Sequence, residues 1–360
     1  MEKSDKIYVA GHRGLVGSAI WNTLKQKDYT NLVGRSHTEM DLMDPIAVRQ
    51  FFDAEQPDVV VLAAALVGGI MANSTRPADF IYQNLQIQQN VIGEAYRHNV
   101  KKLLFLGSTC IYPRMAPQPM PEKCLLSSPL ETTNEPYALA KIAGMKMCEA
   151  FNRQYGTNYI AVMPTNLYGP NDNFNLIGSH VLPAMIRKIH LAKCLMENDK
   201  DALRTDLRHR PVEGISPENG DEIITDFFNS QFSISNSSLT LWGTGTPLRE
   251  FLWSEDMASA CVYMLENVDA DGGDLVCRDV RIEGTNFVNV GTGIEHTIAE
   301  VARMIADTVG YKGEIRFDPS KPDGTPRKLT DPSRLHRLGW HHTVNLADGI
   351  RRLYDWYLNN

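Results

Sequence analysis

The sequence predicts an α/β fold, with a doubly wound parallel sheet followed by a smaller C-terminal substrate-binding domain. Short apolar runs alternate with helical patterns through the first half of the chain. These runs contain few polar residues, as expected for strands that helices cover on both faces. A glycine-rich segment follows the first run, where folds of this class turn from a strand into a helix.

The alternation places each expected strand and helix. The strands are expected at Ile7–Ala10, Asn31–Gly34, Val59–Ala65, Leu103–Gly107 and Tyr159–Met163. The helices between them are expected at Leu15–Lys25, Pro45–Glu55, Ala78–Asn99 and Glu135–Gln154. Because a helix separates each strand from the next, neighbouring strands are expected to run parallel.

The sequence divides the chain into an N-terminal domain at 1–170, to which later strands and helices return, and a second domain, mainly at 171–360. Two further helices are expected in the second domain, at Thr297–Val309 and Leu346–Leu358. Between 197 and 226, nine acidic side chains stand against four basic ones, with few aromatic residues. We therefore expect the segment 195–236 to be an insertion that forms an excursion on the surface.

Charge and composition exclude several classes of function. The chain has 43 acidic and 36 basic residues, a net charge of −7, whereas proteins that bind nucleic acid are normally basic. No apolar run reaches the roughly 18 residues of a membrane span. The polar N-terminus does not resemble a signal peptide, and the six cysteines form no CxxC pair. We expect a cytoplasmic protein with reduced cysteines, and no nucleic-acid or membrane partner.

A GxxGxxG pattern lies between the first expected strand and the first expected helix. Its residues are Gly11, His12, Arg13, Gly14, Leu15, Val16 and Gly17. Glycines permit a positive φ and let backbone N–H groups approach a pyrophosphate at the helix N-terminus. We therefore predict that this segment binds a dinucleotide, although a tight turn without a ligand has the same spacing.

The end of the second strand predicts which dinucleotide binds. NAD sites usually carry an acidic residue there for the ribose 2′-hydroxyl, but this chain has Arg35. Arg35 and Arg13 both suit a 2′-phosphate, although each would also suit a solvated surface. The sequence therefore predicts NADP(H), with Asp41 placed to contact the adenine edge.

Tyr137 and Lys141 form a YxxxK pattern near the start of a helix. The four-residue spacing puts both side chains on one helix face. An ammonium beside a phenol favours the phenolate, so the pattern predicts a lowered Tyr137 pKa and proton exchange near neutral pH. Ser108 follows the preceding strand and is expected to hydrogen-bond the same substrate oxygen.

The glycine loop, Ser108 and the YxxxK pattern, in this order, resemble the extended short-chain dehydrogenase/reductase superfamily, which implies a Rossmann sheet. A closer resemblance, to the GDP-L-fucose synthase family, rests on six segments in order, at residues 11–14, 64–70, 108–113, 164–170, 242–251 and 321–324. That family uses NADPH to epimerise C3 and C5 of GDP-4-keto-6-deoxy-D-mannose and to reduce C4. The resemblance therefore implies a GDP-sugar substrate.

The resemblance also assigns residues to the site. It implies that Cys110 and His180 perform the epimerisations, since a 4-keto group acidifies C3 and C5, and thiols and imidazoles exchange protons near neutral pH. Substrate contacts are implied at Lys188, Trp242, Arg249 and Asp323. Further cofactor contacts are implied at Lys141, Pro164, Thr165, Asn166, Leu167 and His180. By itself, Cys110 would also suit a small buried apolar position, and His180 a local helix cap.

The chain departs from the family pattern at Leu66, where a lysine is usual, and at Thr109, where a serine is common. A nucleotide-sugar 4,6-dehydratase or 4-epimerase stays an alternative, but dehydratases carry an acidic pair where this chain has Cys110 and Ile111. A non-catalytic NADP sensor is the other alternative. Arg327 and Lys328 add positive charge without an assigned role. The resemblance also implies a homodimer that pairs through helices at 81–95 and 137–151.

Overall fold

The computed structural model describes residues 1–360, apart from the side chain of Ile70. The strands are β1 (Ile7–Ala10), β2 (Leu32–Val33), β3 (Val59–Leu62), β4 (Lys102–Leu106), β5 (Tyr159–Pro164), β6 (Asn166–Tyr168), β7 (Ser238–Trp242), β8 (Leu248–Trp253), β9 (Asp269–Asp271), β10 (Asp274–Cys277), β11 (Val280–Ile282), β12 (Phe287–Val290), β13 (Glu295–Thr297), β14 (Glu314–Asp318) and β15 (Arg327–Lys328). The helices are α1 (Leu15–Gln26), α2 (Pro45–Glu55), α3 (Ile70–Thr75), α4 (Pro77–Arg97), α5 (Glu135–Tyr155), α6 (Val181–Glu197), α7 (Lys200–His209), α8 (Asp221–Phe232), α9 (Ser254–Asn267), α10 (Ile298–Val309), α11 (Ser333–Arg337) and α12 (Leu346–Asn359).

The chain forms two compact units. The first contains Met1–Asn171, Glu250–Ile294 and Lys328–Val344. The second contains Asp172–Arg249, Glu295–Arg327 and Asn345–Asn360. The chain therefore returns twice to the first unit after leaving it. Among the described residues, no helix combines the length and the apolar character that crossing a membrane requires.

The first unit is built on a six-stranded parallel sheet with the strand order β12-β5-β4-β3-β1-β2. Ile7 of β1 pairs with Leu32 of β2 on one side and with Val59 of β3 on the other. The strand order reverses at β1, and ligands of such sheets bind at the carboxyl ends of the strands beside that point. The predicted fold class is confirmed; β2 and β3 are shorter than predicted because pairing stops at Val33 and Leu62.

Helices cover both faces of this sheet, because alternate strand residues point to opposite sides. Ile7 and Val9 of β1 pack into one apolar cluster that includes residues of α1 and α9. Tyr8 and Ala10 pack into another, which includes residues of α2, α4 and α5. Both faces are therefore buried, which explains the nearly unbroken apolar runs of the strands.

The second unit contains the segment that the sequence analysis placed on the surface as an excursion. Residues 200–209 and 221–232 form α7 and α8, each with a buried face, rather than a loose excursion; that the segment is an insertion stays a prediction. Leu203 and Leu207 are buried on α7, and Ile224 and Phe228 on α8. Acidic composition masked the four-residue spacing of these apolar side chains, which buries one face of each helix.

A buried ion pair also holds α7 in place. The Asp206 carboxylate accepts hydrogen bonds from Nε and Nη2 of Arg187 on α6, at 3.0 and 2.9 Å. The Tyr357 hydroxyl of α12 donates to the same carboxylate. One acidic residue of the segment therefore joins three helices of the second unit.

Candidate active site

The glycine loop follows β1 and leads into α1. Gly11 has a φ of 86°, and a Cβ at this position would lie 2.9 Å from the backbone nitrogen of Ala64, just after β3. A Cβ on Gly17 would lie 2.0 Å from the Gly11 carbonyl oxygen. No side chain caps α1, whose N-cap is Gly14, and no acidic residue lies in its first turn. The loop therefore presents a compact, positively polarised helix start, which fits a pyrophosphate.

The second part of the predicted cofactor site lies at the end of β2. The Arg35 guanidinium donates to Oε1 of Glu55 at 2.6 Å and lies over the Phe51 ring at 5.4 Å. Arg13 is exposed, and Asp41 is an exposed carboxylate that accepts the Met43 N–H at 2.9 Å. Two cations, one of them paired with Glu55, suit a phosphate better than a ribose hydroxyl.

The residues after β5 are held by the sheet and by β8. Pro164 ends β5, and the Thr165 N–H donates to the Val290 carbonyl at 3.1 Å. The Asn166 amide donates to the Glu250 carbonyl at 2.7 Å, and Leu167 pairs with Leu252 in β8. This segment is therefore a fixed wall at the carboxyl ends of the strands.

Lys141 and Tyr137 lie on α5, as the YxxxK spacing predicts. The Lys141 ammonium is buried, donates to the Leu106 carbonyl at 2.8 Å, and lies 5.8 Å from the Tyr137 ring centroid. Burial lowers the pKa of Lys141 to about 8. Burial and the nearby Cys110 raise the pKa of Tyr137, and a hydrogen bond with Ser108 offsets only part of that shift. The expected lowering of the Tyr137 pKa is therefore wrong, because burial dominates.

Cys110 lies two residues after Ser108, in a short 3₁₀ turn that follows β4. Its N–H donates to Ser108 Oγ at 3.2 Å, so Ser108 contacts both Cys110 and Tyr137. Two nitrogen donors reach its sulfur: Asn134 Nδ2 at 3.3 Å and Lys328 Nζ at 3.4 Å. Sequence reasoning missed both donors, since Lys328 is far away along the chain and carried only a note on its charge.

Cys110 also differs from the other cysteines in its exposure. All six are free, but Cys110 is half-buried and the remaining five are buried, namely Cys124, Cys148, Cys194, Cys261 and Cys277. No group of three or more His, Cys, Asp or Glu side chains among the described residues is arranged to hold a metal ion. Cys110 is therefore the cysteine with the most accessible side chain.

The predicted substrate residues of the second unit form two contacts. The Lys188 ammonium, on α6, lies 5.7 Å from the centroid of the half-exposed Trp242 ring, and burial lowers its pKa. The Arg249 Nη2 donates to the Asp323 carbonyl at 3.3 Å. Sequence reasoning missed Lys321, whose ammonium lies 5.8 Å from the same Trp242 ring.

The side chains of Asp323 and His180 complete the predicted set. The Asp323 carboxylate accepts the N–H and the hydroxyl of Thr244 at 2.7 and 2.8 Å. His180 is the N-cap residue of α6, directly before Val181, and therefore lies at a helix start, as expected. Its side chain does not cap the helix.

The comparison with protein families decides the classification. The model of the NAD dependent epimerase/dehydratase family matches residues 7–277. The chain belongs to this family. The matched residues include the glycine loop, Ser108, Cys110, the YxxxK pair and His180, and therefore both sequence patterns on which the predicted site rests.

Within the NAD dependent epimerase/dehydratase family, the chain is similar to GDP-L-fucose synthase 1 of Arabidopsis thaliana, at 50% identity over 359 residues, 100% of this chain and 95% of that protein. It is 47% identical to the GDP-L-fucose synthase of Escherichia coli K12, over 99% of this chain and 97% of that protein. Among solved structures, it resembles a GDP-mannoheptose C4 reductase from Campylobacter jejuni with NADP bound, with a TM-score of 0.86, 41% identity and 99% of both chains covered.

Proposed function

We propose that the chain converts GDP-4-keto-6-deoxy-D-mannose to GDP-L-fucose, by inverting C3 and C5 and then reducing C4 with NADPH. The identity of 47–50% to GDP-L-fucose synthases supports the substrate and product. The observation that carries the chemistry is the position of Ser108, which contacts both Cys110 and Tyr137. One small region thus holds a candidate base for epimerisation and a candidate acid for reduction.

The cofactor would bind in the first unit. Gly11, Gly14 and Gly17 leave room for the pyrophosphate at the start of α1, and Arg35 and Arg13 supply positive charge for the 2′-phosphate. Bound NADPH supplies the hydride for the C4 carbonyl carbon. The proposed role of the second unit is to hold the GDP-sugar.

Epimerisation needs a base and an acid on opposite faces of a carbon next to the ketone. The Cys110 thiolate removes the proton from C3 or C5, so that an S–H bond forms and the C–H electrons enter an enolate. Ser108 and Tyr137 hydrogen-bond the enolate oxygen. We propose that His180 gives a proton to the opposite face of the same carbon, and that the two proton transfers are repeated at the other carbon.

Reduction at C4 needs a proton for the alkoxide oxygen. The raised pKa of Tyr137 keeps its hydroxyl protonated at neutral pH, which suits a donor in the direction of reduction. Lys141 anchors this arrangement by its bond to the Leu106 carbonyl and adds positive charge behind the phenol. Tyr137 thus completes the alcohol by giving its proton to the C4 oxygen.

The second unit offers groups of the kind that a GDP-sugar needs. Lys188 and Arg249 are cations suited to the diphosphate, and Arg249 adds a planar fork of donors. The half-exposed Trp242 ring suits stacking against a guanine or sugar face. Asp323 accepts hydrogen bonds and suits sugar hydroxyls. We propose these four residues as substrate contacts.

The similarity to a GDP-mannoheptose C4 reductase favours a second candidate, reduction of a GDP-linked ketone without epimerisation. This candidate gives Cys110 no task, whereas the structure places an ammonium and an amide N–H at its sulfur. A dehydratase lacks its acidic pair at Cys110 and Ile111, and a sensor of NADP has no need of Ser108, Tyr137 and Lys141 together.

Product analysis separates these candidates. The protein is incubated with GDP-4-keto-6-deoxy-D-mannose and NADPH in heavy water, and the product is identified by NMR. We expect GDP-L-fucose with deuterium at C3 and C5 and oxidation of one NADPH per product. A reduced product without deuterium at either carbon would instead show a C4 reductase, and NADPH binding without turnover would show a sensor.

Assembly and location follow as further parts of the proposal. Tyr82, Tyr96, Leu139 and Tyr155 are large exposed side chains on α4 and α5, the helices expected to pair in a homodimer. We therefore propose a homodimer formed through these helices. Six free cysteines and a need for NADPH suit the cytoplasm.

A further inference from the structure

The sulfur of Cys110 lies between two nitrogen donors that come from distant parts of the chain. Lys328 Nζ lies 3.4 Å from it across a separation of 218 residues, and Asn134 Nδ2 lies 3.3 Å away. We propose that Lys328 and Asn134 are positioning residues that stabilise Cys110 as a thiolate, so that the free enzyme already holds a base. This inference rests on the proposed function for its catalytic meaning.

The two residues directly after Lys328 are fixed by hydrogen bonds and hold the ammonium in place. The Leu329 N–H donates to Gln118 Oε1 at 2.8 Å, and the Leu329 carbonyl accepts the Met120 N–H at 2.8 Å. The next residue, Thr330, donates its N–H and its hydroxyl to the fully buried Glu250 carboxylate at 3.0 and 2.7 Å. A segment fixed in this way delivers its lysine to one place and lowers the entropy cost of the contact.

Asn134 reaches the sulfur of Cys110 from the start of α5. It is the N-cap residue of α5, three residues before Tyr137, and its Nδ2 is directed at the sulfur rather than at the helix. Its Oδ1 is buried, with no hydrogen-bond partner among the described residues. An amide whose N–H faces sulfur while its oxygen stays unpaired is better satisfied when that sulfur is an anion, because only the anion is a strong acceptor.

Several of the remaining cysteines show what burial does where no ammonium contacts the sulfur. Burial raises the pKa of Cys124, and it raises that of Cys194 to about 12. Cys277 donates its own S–H to the Leu338 carbonyl at 3.6 Å. At Cys124 and Cys194 burial favours the neutral thiol, whereas an ammonium and an amide N–H lie at the sulfur of Cys110.

The charges around the sulfur define the chemical step. Besides Lys328, Tyr137 and Lys141 of α5 interact electrostatically with Cys110. The thiolate takes a proton from carbon and becomes a thiol, while Lys328 keeps its own protons throughout. The thiol returns that proton to solvent before the second carbon is deprotonated, and the adjacent ammonium favours that return.

Alkylation of the free enzyme tests the inference without substrate or cofactor. Iodoacetamide reacts with thiolates, and peptide mass spectrometry reports the rate at Cys110. We expect Lys328→Met to lower this rate at pH 7 about tenfold, and to differ less from the parent at pH 9.5. Lys328→Arg is expected to restore most of the rate. Lys123→Met, which removes an exposed lysine of the same unit, should match the parent.

Exchange into the substrate supplies a second readout. We expect Lys328→Met to slow deuterium exchange at C3 and C5 about tenfold, in line with alkylation, while NADPH binding stays at the parent value. Parent-like alkylation in folded Lys328→Met would overturn the inference. Lys328→Gln, which keeps a polar side chain without the charge, decides in its place if the methionine variant does not fold.

The two proposals fail separately. If alkylation differs between the parent and Lys328→Met but the parent shows no deuterium exchange, the thiolate is supported and the proposed function is overturned. If the Lys328 variants exchange deuterium at the same rate as the parent, the proposed function stands and the role of Lys328 is overturned.

Discussion

Cys110 and Tyr137 both contact Ser108, yet their surroundings push them towards opposite proton-transfer roles. Burial raises the pKa of Tyr137, so its hydroxyl keeps its proton, which suits the acid of the proposed mechanism. Cys110 is half-buried, and two nitrogen donors at its sulfur favour the base. The comparison shows how, in the proposed mechanism, one small region would obtain an acid and a base from the surroundings of two side chains that are both neutral by default at pH 7.

Replacing the acid should give the largest effect. Tyr137→Phe removes the proton donor for C4, and we expect the rate of reduction to fall about 1,000-fold, within the range of general acid catalysis. Deuterium exchange at C3 and C5 should fall less than about tenfold, because Ser108 still hydrogen-bonds the enolate oxygen. Stopped-flow oxidation of NADPH and NMR measure the two rates. An equal loss of both would show that the two side chains do not divide the work.

Replacing the base should give the complementary pattern. Cys110→Ser leaves a hydroxyl that is a far weaker base than a thiolate, and exchange at C3 and C5 should fall about 300-fold. The affinity for NADPH, measured by fluorescence titration, should stay unchanged and serves as the control. Exchange at the parent rate would contradict the assignment of Cys110 as the base.

His180 allows the same test from the other side. His180→Asn should slow the incorporation of deuterium at C3 and C5 by about 100-fold relative to the parent. The reduction of a ketone that needs no epimerisation should be retained. NMR at C3 and C5 separately shows which carbon depends on it. A variant that loses reduction and exchange equally would assign the imidazole to binding instead.

The buried ammonium of Lys141 should make the free energy of unfolding depend on pH. The folded pKa of Lys141 is about 8 and its ordinary value is 10.5, so between these values the unfolded chain binds more protons. The free energy of unfolding should therefore rise with pH through this window, by up to about 3 kcal/mol. Lys141→Met should lack this rise. Urea unfolding of both proteins at pH 8 and pH 10.5 measures it, and parallel curves would contradict the shift.

The second unit should respond differently from either proton-transfer group. Lys188→Met removes a buried cation beside Trp242, and we expect KM for the GDP-sugar to rise about tenfold with kcat little changed, as for lost uniform binding. Lys193→Met, on the same helix but partly exposed, is the matched control. A fall in kcat with unchanged KM would give Lys188 a part in the chemistry.

Local sequence was sufficient for five of the six strands of the sheet, all but β12, and for part of the site. Apolar runs of four to six residues gave β1, β3, β4 and β5, because strands covered on both faces must be apolar throughout. The spacing of the glycines required a close turn between Gly11 and Gly17, and the structure leaves no room for a Cβ there. The four-residue spacing of Tyr137 and Lys141 likewise placed both on one face of α5.

Composition misled the analysis where packing mattered more than charge. The acidic segment around Asp206 was expected on the surface, but the Asp206 carboxylate is buried and accepts hydrogen bonds from Arg187 and Tyr357. A charge count averages over a segment, whereas burial depends on which face each side chain occupies.

The sequence by itself determined the elements whose cause is local: the parallel strands, the glycine turn and the helix that carries the YxxxK pair. Only the tertiary structure decided that Lys328 reaches Cys110, that Glu55 holds Arg35, and that burial raises rather than lowers the pKa of Tyr137. These results depend on groups far apart along the chain and on the removal of water. Both are fixed by packing, which acts only once the chain has folded.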